Sequence, residues 1–411
     1  MERRRVAVTG IGMITAVGLS RQETWNNLIS GTSGIAPITA FDTEGYKVTF
    51  AGEATGFDPS VAMDPKEARK ADRFAQLAFC ASAEAMAQAD PGDIDPARAG
   101  VVIGSGIGGM ITFEEQHAKL MERGPTRVSP MFIPMMIADM ASGLVSIRFG
   151  YRGPNFATVS ACASGGHALA MAFELIAGGV ADVMISGGSE ACVSPMAMAG
   201  FASMKALSTR NGDPASASRP FDAERDGFVL GEGAGIMVLE DWDRARNRGA
   251  EIIAEMAGVG MTADAFHMTQ PDNEGNGCRE AMRLAIQASG LAPTDIGYIN
   301  AHGTSTPFND KIESKAIGDL FGDHAANLLV SSTKSMTGHT LGAAGGVEAA
   351  ITALALQHGI LPPTINYQTP DPECSLNYCA NVSVERRVDA ALSTSLGFGG
   401  HNVSLCMKRV D

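Results

Sequence analysis

Apolar residues in this chain fall into short unbroken runs, not the strict alternation of a half-exposed sheet. Residues 5–9, 100–103, 182–186 and 235–239 predict buried strands, and 252–256, 296–300, 328–331 and 394–396 predict four more. Between them lie longer segments of helical composition at 69–89, 164–177, 277–289 and 345–357. Strand and helix therefore alternate from end to end, which predicts an α/β protein with sheets covered on both faces. The segments 162–178 and 342–358 are rich in glycine and alanine and apolar on every side. That is the pattern of a helix at the centre of a large core.

The order of signals repeats. Asp93-Ile94 precedes a run ending at Gly104, and Asp295-Ile296 precedes a run ending at Gly303; each half then carries one glycine-alanine helix. Two similar halves, 1–250 and 251–411, are expected, joined through the polar stretch 241–251.

Composition narrows the class. A hydrophobic fraction of 45% supports a sizeable core, and the 48 glycines sit in short turns, so disorder is not the reading. No segment reaches the length of a membrane span, and the basic start Met1-Glu-Arg-Arg-Arg lacks the apolar region of a signal peptide. The net charge of −14 argues against nucleic acid and requires any acidic partner to dock on a local basic patch. Seven dispersed cysteines form no paired zinc spacing and fit a reducing, cytoplasmic compartment.

Three motifs carry chemistry. Cys162 stands in Ser-Ala-Cys-Ala-Ser-Gly-Gly where an extended segment gives way to a helix. A helix N-terminus favours the thiolate, so a lowered thiol pKa is expected there, with backbone N–H groups free to hold an oxyanion. The remaining cysteines are read as core. His302 in Asn-Ala-His-Gly-Thr-Ser-Thr-Pro and His339 in Ser-Thr-Lys-Ser-Met-Thr-Gly-His both follow strand-like runs and enter turns. Two imidazole donors aimed at one carbonyl oxygen would stabilise an enolate. Neither histidine has zinc-ligand spacing, and no metal is expected. Lys334 would orient the rings, and Glu348, costly to bury alone, is its natural partner. Gly397-Phe-Gly-Gly-His-Asn is a third glycine-rich turn, with Phe398 as a gate ring and its N–H near the thiol. The run Gly104-Ser-Gly-Ile-Gly-Gly matches a dinucleotide fingerprint, but no acidic strand end follows at the required distance. A sharp turn beside the active site is the better reading.

Taken with Ala206-Leu-Ser-Thr-Arg-Asn and Ser218-Arg-Pro-Phe-Asp-Ala-Glu-Arg-Asp-Gly-Phe-Val, these motifs resemble the β-ketoacyl-acyl carrier protein synthases of the thiolase superfamily, in their elongating type II form. The resemblance covers essentially the whole chain. It implies two duplicated βαβαβαββ halves in a layered α-β-α-β-α core. It also implies an acyltransferase that extends an acyl chain by decarboxylative Claisen condensation with malonyl-carrier protein, without a cofactor. Cys162 would accept the acyl group, His302 and His339 would assist decarboxylation, and Lys334, Glu348 and Phe398 would support or gate them. By the same resemblance Ile107, Ala161, Ala197 and Phe201 would line the acyl tunnel, with Phe132 reaching in from a second subunit of a homodimer and Thr304 and Thr306 contacting substrate. Acyl carrier protein would dock on Lys66, Arg69, Lys70, Arg127 and Lys205. His401 and Phe308 depart from the commonest family pattern and bear on chain-length preference. A polyketide or specialised lipid ketosynthase would share the mechanism, whereas a thiolase would need a second cysteine near the last turn, where this chain has His401.

Overall fold

The computed structural model describes residues 3–410. Ten strands form the main sheet: β1 (Val6–Ile14), β2 (Ala99–Gly104), β3 (Asn155–Phe156), β4 (Val183–Glu190), β5 (Gly233–Asp241), β6 (Ala254–Ala263), β7 (Tyr298–Asn300), β8 (Leu329–Ser331), β9 (Ala390–Gly397) and β10 (His401–Lys408). Their spatial order is β8-β7-β9-β10-β6-β1-β5-β4-β2-β3. The join at the middle is short: β1 and β6 pair antiparallel only at Val6–Val8 against Met256–Ala254.

On either side of that join the two sets of five strands have one topology. From the outer edge inward each runs third, second, fourth, fifth, first in chain order. In each, the second strand pairs parallel with the third and fourth, and the fifth pairs antiparallel with the fourth and first. The echo in the sequence is a structural duplication.

Five helices complete the layers: α1 (Arg73–Ala89), α2 (Ser164–Ala177), α3 (Asn276–Ala288), α4 (Pro307–Phe321) and α5 (Ala344–His358). α1 covers β1, β4 and β5 from one outer side, and α3 covers β6 and β10 from the other. α2 and α5 lie between the two five-strand sets, with α5 touching both β5 and β9. The layering is therefore α-β-α-β-α, as the resemblance implied.

Burial on both faces explains the unbroken apolar runs: all nine residues of β1 are buried. Predicted strands lie inside the observed ones or overlap them, with β1, β6 and β9 extending several residues further. The predicted helix 69–89 begins instead at Arg73, where Asp72 caps it by accepting from Phe74 N; Pro65–Ala68 forms a separate short turn of helix. β10 and the two-residue β3 were not anticipated.

At the centre, α2 and α5 meet through glycines. A Cβ on Gly165 would lie 2.8 Å from the Gly346 nitrogen, and one on Gly345 would lie 2.4 Å from the Gly166 nitrogen. Larger residues would drive the helices, and with them the two halves, apart.

Candidate active site

Each central helix is entered through the same kind of turn. Ala161–Ala163 and Leu341–Ala343 form single 3₁₀ turns, and their first residues have φ of +50° and +48°. A left-handed alanine or leucine costs about 1–2 kcal/mol, so the turns are held by their surroundings. At the first of them the Ser164 hydroxyl donates to Ala161 O at 2.6 Å and accepts from Ser160 N at 2.9 Å. Cys162 is the second residue of that turn, and Gly342 is its counterpart in the other half.

The elements bring three distant residues together. His302 follows β7, and His339 follows the short helix Lys334–Thr337 after β8. Nitrogen atoms of both rings and Cys162 Sγ all lie within 4.8 Å of one another, and all three residues are buried. The two rings meet edge to face with centroids 5.3 Å apart. A metal ion could use such spacing, but the Lys334 ammonium lies 3.4 Å from His302 Nδ1 and would oppose a dication there.

Lys334 Nζ also donates to His302 O at 2.6 Å and to the Glu348 carboxylate. Both side chains are buried, so each supplies the charge that makes the other tolerable. An ammonium facing Nδ1 makes that nitrogen an acceptor and leaves the ring proton on Nε2. Burial, reinforced by Lys334, holds both imidazole pKa values well below the ordinary histidine value. The rings are thus neutral donors.

The cysteine departs from expectation. Burial pushes the Cys162 thiol up to about 12, against the opposing pull of Lys334 and of the Phe398 and Cys162 N–H groups. Desolvation of the anion outweighs the partial charge of a helix whose first α-turn starts only at Ser164. At neutral pH the Cys162 side chain therefore rests as a neutral thiol. Phe398 is half-buried in the turn of the β9–β10 hairpin, where Gly397 pairs with His401. A Cβ on Gly397 would sit 3.3 Å from Cys162 N, so glycine keeps the space beside the two N–H groups open.

The trio forms the floor of a cavity of about 470 Å³. Ile107, Ala161, Phe201, Thr304 and Thr306 line it, and the threonine hydroxyls lie 2.9 Å apart. The glycine run that mimics a dinucleotide site contributes Gly106 and Ile107 to the same wall. Ala197 is buried in the apolar cluster behind Cys162 and does not line the cavity; Phe132 is half-buried against Phe113, also outside it. Phe308, 63% exposed, stands at the mouth. Lys66, Arg69, Lys70, Arg127 and Lys205 are all exposed and form no salt bridge with a described residue; Lys205 alone borders the cavity.

Sequence reasoning missed Glu313. Buried in α4, its carboxylate accepts from His302 N at 2.7 Å, Gly303 N at 2.8 Å and the Thr394 hydroxyl at 2.9 Å, fixing the backbone that carries His302. The available signal was spacing: Asn309, Asp310, Glu313, Ser314 and Ile317 share one helical face, and all are buried. Arg225 was missed too; it donates to Thr306 O and Pro307 O, each at 3.1 Å, and holds the threonine turn in place.

A thiol and two buried imidazoles facing a largely apolar cavity, within a duplicated α-β-α-β-α architecture, fit a condensing enzyme of the thiolase fold. Residues 3–245 match the family model for the beta-ketoacyl synthase N-terminal domain, and residues 253–368 match the one for its C-terminal domain. The chain belongs to the beta-ketoacyl synthase family, and is an enzyme of the acyltransferase class, as expected. It is 51% identical to 3-oxoacyl-[acyl-carrier-protein] synthase 2 of Synechocystis sp., over all of this chain and 99% of that protein. Identity to the Staphylococcus aureus protein of the same name is 50% over the same shares. Among solved structures, a beta-ketoacyl synthase from Burkholderia phymatum superposes with a TM-score of 0.92 at 37% identity, covering 99% of this chain and 100% of that one. A ketosynthase in complex with its type II polyketide acyl-carrier protein gives 0.93 at 34%, with the same coverage.

Proposed function

We propose that the chain is a 3-oxoacyl-[acyl-carrier-protein] synthase that elongates fatty acyl chains by two carbons. One observation carries the reading: Cys162, His302 and His339 converge within 4.8 Å of one another and all line the cavity. In the first half-reaction the Cys162 thiol attacks the acyl thioester. Its proton passes to a neutral imidazole and then to the departing carrier thiol, leaving an acyl-enzyme. In the second, the bond between malonyl carbon and carboxylate breaks, carbon dioxide leaves, and the electron pair becomes an enolate. His302 Nε2–H and an N–H of His339 hold the enolate oxygen. The carbon then attacks the acyl carbonyl, the C–S bond breaks, and the released Cys162 thiolate takes up one proton from solvent. Each well-placed donor is worth about 3–4 kcal/mol in such a step.

The partners follow the same reading. Lys66, Arg69, Lys70, Arg127 and Lys205 are the exposed charges for an acidic acyl carrier protein. A homodimer is supported by exposed Ile133, Ile147 and Val159 near the edge strand β3, and Phe132 in that region is the residue proposed to complete a neighbour's tunnel. The units are the halves 1–250 and 251–411. No described helix is long and apolar enough to cross a membrane, which accords with a cytoplasmic enzyme. A polyketide ketosynthase is the second reading, favoured by the likeness to such structures but at 34% identity against 50–51%.

Intact-mass measurement after incubation with acyl-carrier proteins of graded length tests the proposal. Wild type gains one acyl group on Cys162; His302→Ala still gains it but no longer releases carbon dioxide from malonyl-carrier protein. Absence of the adduct, or equal loss of both steps, refutes it.

A further inference from the structure

Glu190, the last residue of β4, is fully buried and has no cationic partner among the described residues. Five dipoles hold it instead. Oε1 accepts from the Ser105 hydroxyl at 2.8 Å and from Ile107 N and Gly108 N at 3.3 Å each. Oε2 accepts from Gly106 N at 2.7 Å and Gly342 N at 3.0 Å. Gly108 N donates to Ser105 Oγ, so that hydroxyl is free to point at the carboxylate. A cluster of N–H groups converging on one anion from two separate turns is a built anion hole.

The duplication identifies this hole. Gly342 is the counterpart of Cys162, second in a 3₁₀ turn behind a left-handed residue. Glu190 and Gly397 are the eighth and last residues of equivalent strands. In one half a glycine leaves room beside the Cys162 N–H; in the other a carboxylate fills the space beside the Gly342 N–H. The chain therefore carries the anion-holding turn twice, with one copy open to a ligand and the other closed by its own side chain.

The closed copy is part of the cavity wall. A Cβ on Gly106 would lie 2.8 Å from Glu190 Oε2 and 3.3 Å from Ala161 O, and one on Gly342 would lie 2.2 Å from Gly106 N. One carboxylate thus clamps the turn bearing Ile107 against the turn bearing Leu341, both of which line the cavity. We propose that Glu190 is a positioning residue, an internal occupant of a second oxyanion hole, which sets how long an acyl chain the cavity admits by pinning the Ile107 turn to Gly342.

The experiment compares labelling of Cys162 by N-ethylmaleimide and N-octylmaleimide, read by intact mass, in wild type, Glu190→Gln and Ser105→Ala. This needs only the thiol and the cavity, so it reads Glu190 whether or not the condensation proposed above is this chain's reaction. In Glu190→Gln an amide NH₂ faces N–H donors, the clamp opens, and the octyl-to-ethyl rate ratio rises by roughly fivefold or more, the worth of about one hydrogen bond. Loss of the Glu190 charge also eases thiol ionisation, but that accelerates both probes equally and cancels in the ratio. Ser105→Ala removes one donor from the carboxylate and raises the ratio in the same direction, roughly twofold to threefold. A ratio that is unchanged or lower in folded Glu190→Gln overturns the proposal. If that variant does not fold, Ser105→Ala decides alone, and an unchanged ratio there overturns it equally.

Discussion

Replacing Lys334 by methionine separates two consequences of one buried ammonium. In the folded protein this group donates to Glu348, donates to His302 O at 2.6 Å and faces His302 Nδ1 at 3.4 Å. Methionine fills a similar volume and removes every one of these contacts. Glu348 is then a buried carboxylate without its cation, and breaking a buried pair from one side costs about 3–5 kcal/mol. Part of that is recovered by protonation, because burial already raises the Glu348 pKa to about 7 and the lost lysine was pulling it down. The His302 ring meanwhile loses the charge that fixed its proton on Nε2, and decarboxylation loses an oriented donor worth about 3 kcal/mol, or 10²-fold. The double variant Lys334→Met, Glu348→Gln distinguishes the two effects. With both charges gone, the urea midpoint returns most of the way to wild type, while release of carbon dioxide from malonyl-carrier protein stays about 10²-fold down. If activity returns together with stability, Lys334 serves only the fold and its assigned role at His302 is wrong.

Three further outcomes are expected. Cys162→Ser gives no mass-detectable acyl adduct under conditions that fully acylate wild type, because an alkoxide is still harder to form in this buried turn than a thiolate; near wild-type acylation would be incompatible with the nucleophile. Since the folded pKa of His302 lies well below its unfolded value, its contribution to stability is complete above pH 6.5 and is lost as pH falls below it. Measured by urea unfolding, wild type should therefore lose about 1.4 kcal/mol per pH unit relative to His302→Asn between pH 6 and 5, and a constant difference would show that the ring is not held neutral. Reversing the charges of Lys66, Arg69 and Lys70 to glutamate lowers kcat/KM with acyl-carrier protein by roughly tenfold at low salt and much less at 0.5 M, where the Debye length falls to a few ångströms. A salt-independent effect would place the carrier elsewhere.

The residues that were legible in the sequence are those whose chemistry is local. Cys162 sits where an extended segment meets a small-residue helix, His302 and His339 each sit in a turn after a buried run, and Lys334 lies five residues before His339 on the same short segment. The central helices announced themselves by having no polar face. What escaped was set by partners distant in sequence. The Cys162 pKa could not be read from its place before a helix, since the desolvation that dominates it comes from walls contributed by both halves. Glu190 and Glu313 were passed over because most of their donors are backbone N–H groups, which no residue pattern displays. β3 was invisible because a two-residue edge strand carries no periodicity, and β10 because its run lies hard against the last glycine turn.

Gly165–Gly166 and Gly345–Gly346 let the central helices touch main chain to main chain. The separation between the sulfur and the imidazoles is consequently ruled by backbone geometry, with no intervening layer of side chains whose volume could drift. Core substitutions beneath α1 or α3 can adjust thermal tolerance without retuning that reaction distance. A methyl group added at the glycine crossing would be felt at the chemistry first.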